Sequence, residues 1–228
     1  MEIGITSLGM GTQPLDEVLR FAASTASEVM ELNGRETVHD NLWVPPIDYK
    51  AIRRQLEAAR IRATSLGGYS DFTSPDDEEL EEQVKIFLGY CDVARQMRIP
   101  VVRAFAGDLA EGLTLERAYP RIVEGLSMVA ERVNDWGILV GIENHGRLVN
   151  DGEVLASIVR DVDSSVVGIT LVPFVPLNLV PGVLLLVSLN SASAVGDIVT
   201  VWWLFRKPKT ALVQDDGDSV RIFNTATE

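Results

Sequence analysis

Six short apolar runs, each followed by residues whose apolar members recur at helical spacing, succeed one another along residues 1–171. This repetition limits the fold more than any other property of the chain. Strands that are apolar on both faces and separated by helices imply parallel strands joined by crossovers, in a sheet that helices cover. The runs fall at 3–7, 28–32, 61–66, 100–105, 138–143 and 166–171. Between them Leu15, Val18, Leu19 and Ala22 share one helical face, as do Ile52, Leu56 and Ala59, and then Leu80, Val84, Phe87, Leu88 and Cys91. A long helix is expected over 114–134, with Leu115, Tyr119, Ile122, Leu126, Val129 and Val133 inward, and a short one over 153–160. Ser74-Pro75-Asp76-Asp77 predicts the start of the third helix, with Ser74 as cap and Pro75 in the first helical position. Six units of this spacing fit an α/β fold of the (β/α)8 TIM-barrel type, incomplete here, better than an open doubly wound sheet. No G-x-G-x-x-G follows the first run.

The pattern stops after Leu171. Residues 164–196 carry no charge, and Pro173, Pro176 and Pro181 interrupt them. Residues 1–171 hold 28 acidic and 16 basic side chains, whereas 172–228 hold 5 and 4. The apolar runs 183–189 and 198–205 have strand length, and Trp202, Trp203, Arg206, Lys207 and Lys209 resemble an interfacial flank. A membrane span needs roughly 20 predominantly apolar residues. The prolines and Asn190-Ser191-Ala192-Ser193 break this stretch, so insertion is not expected. A barrel of this type typically takes about 250 residues, and 172–228 lacks the pattern of a seventh and eighth unit. The chain therefore reads as barrel-like units over 1–171 and an atypical apolar, proline-containing tail over 172–228. A shift of reading frame near codon 172 is one account of the break.

The formal charge of −13 argues against nucleic acid as a partner, because phosphate binding needs clustered Lys and Arg. A single cysteine, Cys91, permits no internal disulfide, and its place in a helix reads as a buried structural thiol. Met1-Glu2-Ile3-Gly4 has neither a basic nor an apolar leader region, so the cytoplasm is the expected location.

In a barrel the side chains at the C-terminal strand ends converge on the face that carries chemistry. Glu143, Asn144 and His145 follow the fifth run and bring a carboxylate, an amide and an imidazole to one loop. A carboxylate can hold a hard cation or act as a base, and the neighbouring groups can bind substrate hydroxyls. Glu31 and Asn33 end the second run, Tyr69 follows the third, and Arg103 lies near the end of the fourth. Glu31 reads equally as a substrate contact and as a partner for Arg103. His39 lies in a polar loop and reads as a surface residue. Tyr69 and Trp43 read as loop packing or as substrate contacts. The run Asp76-Asp77-Glu78-Glu79 reads as a solvated helix face.

Gly4-Ile5-Thr6-Ser7, Glu31-Leu32-Asn33-Gly34, Ile142-Glu143-Asn144-His145-Gly146 and Val167-Gly168-Ile169-Thr170-Leu171 together make residues 1–171 resemble the sugar phosphate isomerase/epimerase family, also called xylose-isomerase-like TIM barrels. The likeness implies a divalent metal (manganese, cobalt, magnesium or zinc) held by a glutamate, an aspartate, a histidine and a glutamate at strands five to eight. It implies proton transfer between adjacent carbons of a small sugar or sugar phosphate. Glu143 matches the strand-five ligand and base. His145, Asn144, Glu31 and Tyr69 are the expected substrate contacts, and association with further copies is compatible with the family.

The tail departs from this pattern. Val172 stands where the family has aspartate, no histidine follows His145, and the one glutamate after Glu153 is Glu228. One matched ligand of four implies weak metal binding or none. The expectation is a sugar isomerase/epimerase-type protein of impaired activity. The alternative is a non-catalytic barrel remnant whose apolar tail meets a partner. An endonuclease of abasic sites is disfavoured by the few histidines and the negative charge.

Overall fold

A computed structural model describes residues 4–107, 112–145, 149 and 151–170, together with the backbone of 211–215 and 220–224. The chain forms two compact units, Met1–Leu171 and Val172–Glu228. In the first, strands β1 (Gly4–Thr6), β2 (Val29–Asn33), β3 (Arg62–Gly67), β4 (Val101–Ala104), β5 (Leu139–Glu143) and β6 (Val167–Thr170) make one sheet. Every strand is parallel to its neighbour, and the spatial order repeats the chain order. Helices α1 (Leu15–Ser24), α2 (Tyr49–Ala59), α3 (Asp77–Met97), α4 (Leu115–Val133) and α5 (Gly152–Val162) lie between successive strands. Six strands alternate with five helices, so the barrel-type reading holds for this unit.

The predicted apolar stripes are the buried ones. Leu15, Val18, Leu19 and Ala22 of α1, Ile52 and Leu56 of α2, and Leu80, Val84, Phe87 and Cys91 of α3 are all buried, while Leu88 is half-buried. They meet Met30, Leu32, Leu66, Val102, Val140 and Ile142 from the sheet. Each fully buried aliphatic or aromatic side chain contributes about 1.5–3 kcal/mol to the compact state. Burial pushes the Cys91 thiol up to about 12, so it stays protonated and unreactive at neutral pH.

The helix starts follow local hydrogen bonding, with one correction. Asp48 caps α2, accepting from Ala51 N–H at 2.9 Å, and Asp151 caps α5, accepting from Glu153 N–H at 2.7 Å. The third helix is capped by Asp76, not by Ser74: Asp76 accepts from Glu79 N–H at 2.9 Å. The Ser74 hydroxyl accepts from Asp76 N–H and donates to Glu79 Oε2, so it fixes the turn before the cap.

A second correction concerns His39, which is only 2% exposed. Its Nδ1–H donates to the Gln13 carbonyl at 2.9 Å, which leaves Nε2 to accept from the Ser7 hydroxyl at 2.9 Å. Ser7 Oγ in turn accepts from Asn33 N–H at 2.8 Å. Polar groups tolerate burial when each finds a partner, and a polar loop sequence does not reveal such pairing. Trp43 is buried too, donating from Nε1 to the Asn33 carbonyl at 2.7 Å.

In the second unit, β7 (Ala211–Asp215) and β8 (Val220–Asn224) pair antiparallel, with Ala211 opposite Asn224. The expected apolar runs 183–189 and 198–205 lie outside the described residues, and the β7–β8 pair was not expected. Among the described residues no helix is long and apolar enough to cross a membrane.

Candidate active site

Parallel register sets the site. Thr6, Glu31 and Ser65 stand side by side on β1, β2 and β3. The Thr6 hydroxyl donates to Glu31 Oε1 and the Ser65 hydroxyl to Glu31 Oε2, each at 3.3 Å. Two residues onward, Arg103 of β4 lies between Gly67 of β3 and Gly141 of β5. A Cβ at position 67 would come within 2.7 Å of Arg103 Nη2, so the glycine leaves the lane in which the guanidinium lies.

From that lane Arg103 reaches two carboxylates. Nε donates to Glu31 Oε2 at 3.1 Å, and Nη1 donates to Glu143 Oε2. Arg103 is only 8% exposed. Burial works against its charge, but the Glu31 and Glu143 carboxylates outweigh that cost and hold its pKa above the ordinary value. The Glu143 side chain is 29% exposed, so one end of it remains open to a ligand.

An aromatic wall stands beside this cluster. The Arg103 guanidinium carbon lies 4.7 Å from the Phe105 ring centroid, and Phe105 stacks on His145 with centroids 4.4 Å apart and planes at 25°. His145 Nδ1 sits 4.0 Å from Glu143 Oε1, and its side chain is 62% exposed. Tyr69 meets Phe105 edge-on at 5.4 Å. Its ring also faces Arg35 and Arg103, 4.0 and 5.8 Å from the centroid. The buried Tyr69 hydroxyl and the Asn33 Nδ2 have no hydrogen-bond partner among the described residues. A cleft of about 360 Å³ opens between Arg35, Tyr69, Asp71, Gln83, Phe105 and His145.

The structure thus gathers Glu143, His145, Glu31 and Tyr69 at one end of the sheet, while Asn144 lies exposed on the loop. Glu31 is a partner of Arg103, and both of its oxygens accept hydrogen bonds. Phe105 and Arg35 are additions. Phe105 was legible as the residue two beyond Arg103 on the same strand face, and Arg35 as the cation just past Asn33.

Chemically, the cluster offers one fixed carboxylate with an accessible oxygen and an adjacent imidazole. A divalent metal is a poor fit for the donors present. Among the described residues no group of three His, Cys, Asp or Glu side chains converges. Glu31 is engaged by Arg103, and a guanidinium already sits against Glu143.

The family model described as xylose isomerase-like TIM barrel matches residues 19–174. No curated protein sequence matches the chain. Among solved structures the chain is similar to a D-psicose 3-epimerase, at 18% identity and a TM-score of 0.63. It is also similar to the IolI protein with a bound zinc atom, at 15% and 0.63, and to the probable 3-DHS dehydratase AsbF of Bacillus anthracis, at 19% and 0.60. Each match covers 74% of this chain and 62% of the other, so the chain spans less than two thirds of these structures' length. At such identities the likeness shows the fold. The family match, which takes in β2 to β6 and Glu31, Arg103 and Glu143, shows more: the chain belongs to the xylose isomerase-like TIM barrel family.

Proposed function

We propose that this chain is a sugar isomerase/epimerase-type protein in which the Glu143 carboxylate carries a proton between adjacent carbons of a small sugar. The observation that carries the reading is the state of Glu143. It ends β5 with Oε2 held by Arg103 and Oε1 at 4.0 Å from Nδ1 of His145, which lines the cleft. In this scheme Glu143 Oε1 removes the proton from the carbon beside the sugar carbonyl. The C–H electron pair becomes a carbon–carbon double bond, and the carbonyl oxygen takes the negative charge. Return of the proton to the neighbouring carbon, while that carbon's hydroxyl proton passes to the charged oxygen, completes an isomerisation. For an epimerisation water supplies the proton on the opposite face, and the hydroxide it leaves takes the proton from Glu143. His145, Asn144 and Tyr69 contact substrate. Arg103 touches no reacting atom and is a positioning residue for Glu143, with Glu31 as its anchor.

Turnover is impaired in this chain. Val172 replaces the family's aspartate and no histidine follows His145, so a divalent ion would find one matched ligand, Glu143. A shift of reading frame at the start of the 172–228 tail accounts for both changes. Translating the other two frames downstream of codon 171 tests that origin: an aspartate strand end and a later histidine support it, and noise in both frames removes it.

Proton NMR in D2O with D-fructose and D-psicose tests the function. Slow exchange at the carbons flanking the carbonyl, lost in Glu143→Gln, is the expected result. No exchange, with Glu143→Gln indistinguishable from the parent, would refute the base. The engagement of Glu143 with Arg103 and Glu31 favours a second reading in that event, a non-catalytic remnant whose tail meets a partner.

A further inference from the structure

We propose that Arg35 anchors an anionic group, phosphate or carboxylate, on the substrate, so that the chain takes sugar phosphates or sugar acids ahead of neutral sugars. The inference rests on the sugar reading above and adds the substrate class.

The charges of the site are unevenly distributed. At the inner end one guanidinium, Arg103, faces two carboxylates, Glu31 and Glu143, which leaves a net negative charge. At the outer end Arg35 is exposed and forms no ion pair among the described residues. The Tyr69 ring faces both guanidinium groups, which ties the outer cation to the inner cluster through a single side chain. His145, beside Glu143, lines the same cleft as Arg35, so a substrate whose carbonyl end meets Glu143 has an unneutralised cation on the cleft wall.

Arg35 is also held in a form suited to an anion. Its backbone N–H donates to Asn33 Oδ1 at 3.1 Å, and the preceding Gly34 N–H donates to the Gly67 carbonyl at 3.0 Å, so its loop is pinned to the strand ends. Its guanidinium carbon lies over the Tyr69 ring, 4.0 Å from the centroid, and its side-chain donors make no hydrogen bond among the described residues. Planar edge donors match the paired oxygens of a carboxylate or phosphate. A neutral sugar engages those donors without gaining from the charge. Asp71 lines the same cleft and opposes an anion, but its Oδ1 is turned onto Thr73, accepting from the N–H at 3.0 Å and the hydroxyl at 2.6 Å. The cleft volume, about 360 Å³, lies within the range of small-molecule sites.

Titration calorimetry of the full chain with D-fructose, D-fructose 6-phosphate, D-gluconate and inorganic phosphate tests the proposal. At least one of the two organic anions is expected to bind roughly tenfold tighter than fructose, the scale of one charge-assisted hydrogen bond. The tighter of the two identifies the anion. Arg35→Gln should erase the preference, Arg35→Lys should keep part of it, and Asp71→Asn should raise it severalfold. Fructose binding as tightly as both anions, or a preference unchanged in Arg35→Gln, overturns the anchor and leaves the sugar reading intact. Inorganic phosphate bound through Arg35 with no sugar of any kind overturns the sugar reading and leaves the anchor. Failure of all four probes to bind overturns both.

Discussion

Arg103 Nε donates to Glu31 Oε2 over 3.1 Å and so ties the end of β4 to the end of β2. Glu143 adds a third strand to the same guanidinium. All three side chains are mostly shielded from solvent. Removing the cation leaves two carboxylates facing each other without compensation. Arg103→Met is expected to cost about 3–5 kcal/mol, read as a lower urea midpoint, with Arg103→Lys between it and the parent. A loss under about 1 kcal/mol would mean that solvent already screens the cluster.

The same guanidinium governs cation binding. Calorimetry with manganese should show no tight stoichiometric uptake by the chain, because Arg103 occupies both carboxylates and no three-donor group converges among the described residues. Arg103→Met frees the pair of carboxylates, and its affinity for manganese should exceed the parent's. Tight stoichiometric binding by the unaltered chain, lost in Glu143→Gln, would contradict this account of the site.

His39 predicts a pH dependence of stability. Burial is the main cause that pushes its pKa below the ordinary value, the Gln13 carbonyl and Asp40 acting the other way. The folded chain therefore binds a proton at His39 less readily than the unfolded chain does. Its contribution is fully present above the ordinary histidine pKa, about 6.5, and is lost as pH falls through the lower folded value. Protonation also removes the lone pair that accepts from Ser7. The urea midpoint should fall between pH 7.5 and pH 5, and His39→Gln should flatten part of that fall. An equal fall in both proteins would assign the dependence to carboxylates.

Gly67→Ala offers a subtler route to the same cluster. The new methyl would meet Arg103 Nη2 at 2.7 Å, and the far end of a flexible side chain can yield. The expected cost is about 1–3 kcal/mol, together with slower proton exchange at a fructose carbon, because Glu143 loses its fixed orientation. Stability and exchange both unchanged would show that the guanidinium has room to spare.

Much of the barrel unit was legible because period-3.6 helical faces separate short continuous apolar runs, which mark strands covered on both faces, where side chains alternate with a period of two. The same period explains the site: Glu31 with Asn33, Arg103 with Phe105, and Glu143 with His145 are each two residues apart at a strand end. Their meeting across strands was not legible, because it depends on register, which places Arg103 between two glycines. His39 escaped the sequence reading for a different reason. Its partners, Ser7 and the Gln13 carbonyl, lie 32 and 26 residues away, and one of them is backbone. Asp76 displaced Ser74 as the cap of α3 because both residues are good caps and only the turn geometry chooses between them.

The spatial order of β1 to β6 repeats the chain order, so each strand needs only its immediate predecessor as a template. Each pair is joined across one helix-containing crossover, so every contact that skips a strand has to be made by side chains and not by the ladder. Arg103 makes such a contact, reaching back past β3 from β4 to Glu31 on β2 while also holding Glu143 on the neighbouring β5. The orientation of the Glu143 carboxylate is thus tied to a strand three places away in the sheet, and a change at β2 is transmitted to β5 through one side chain.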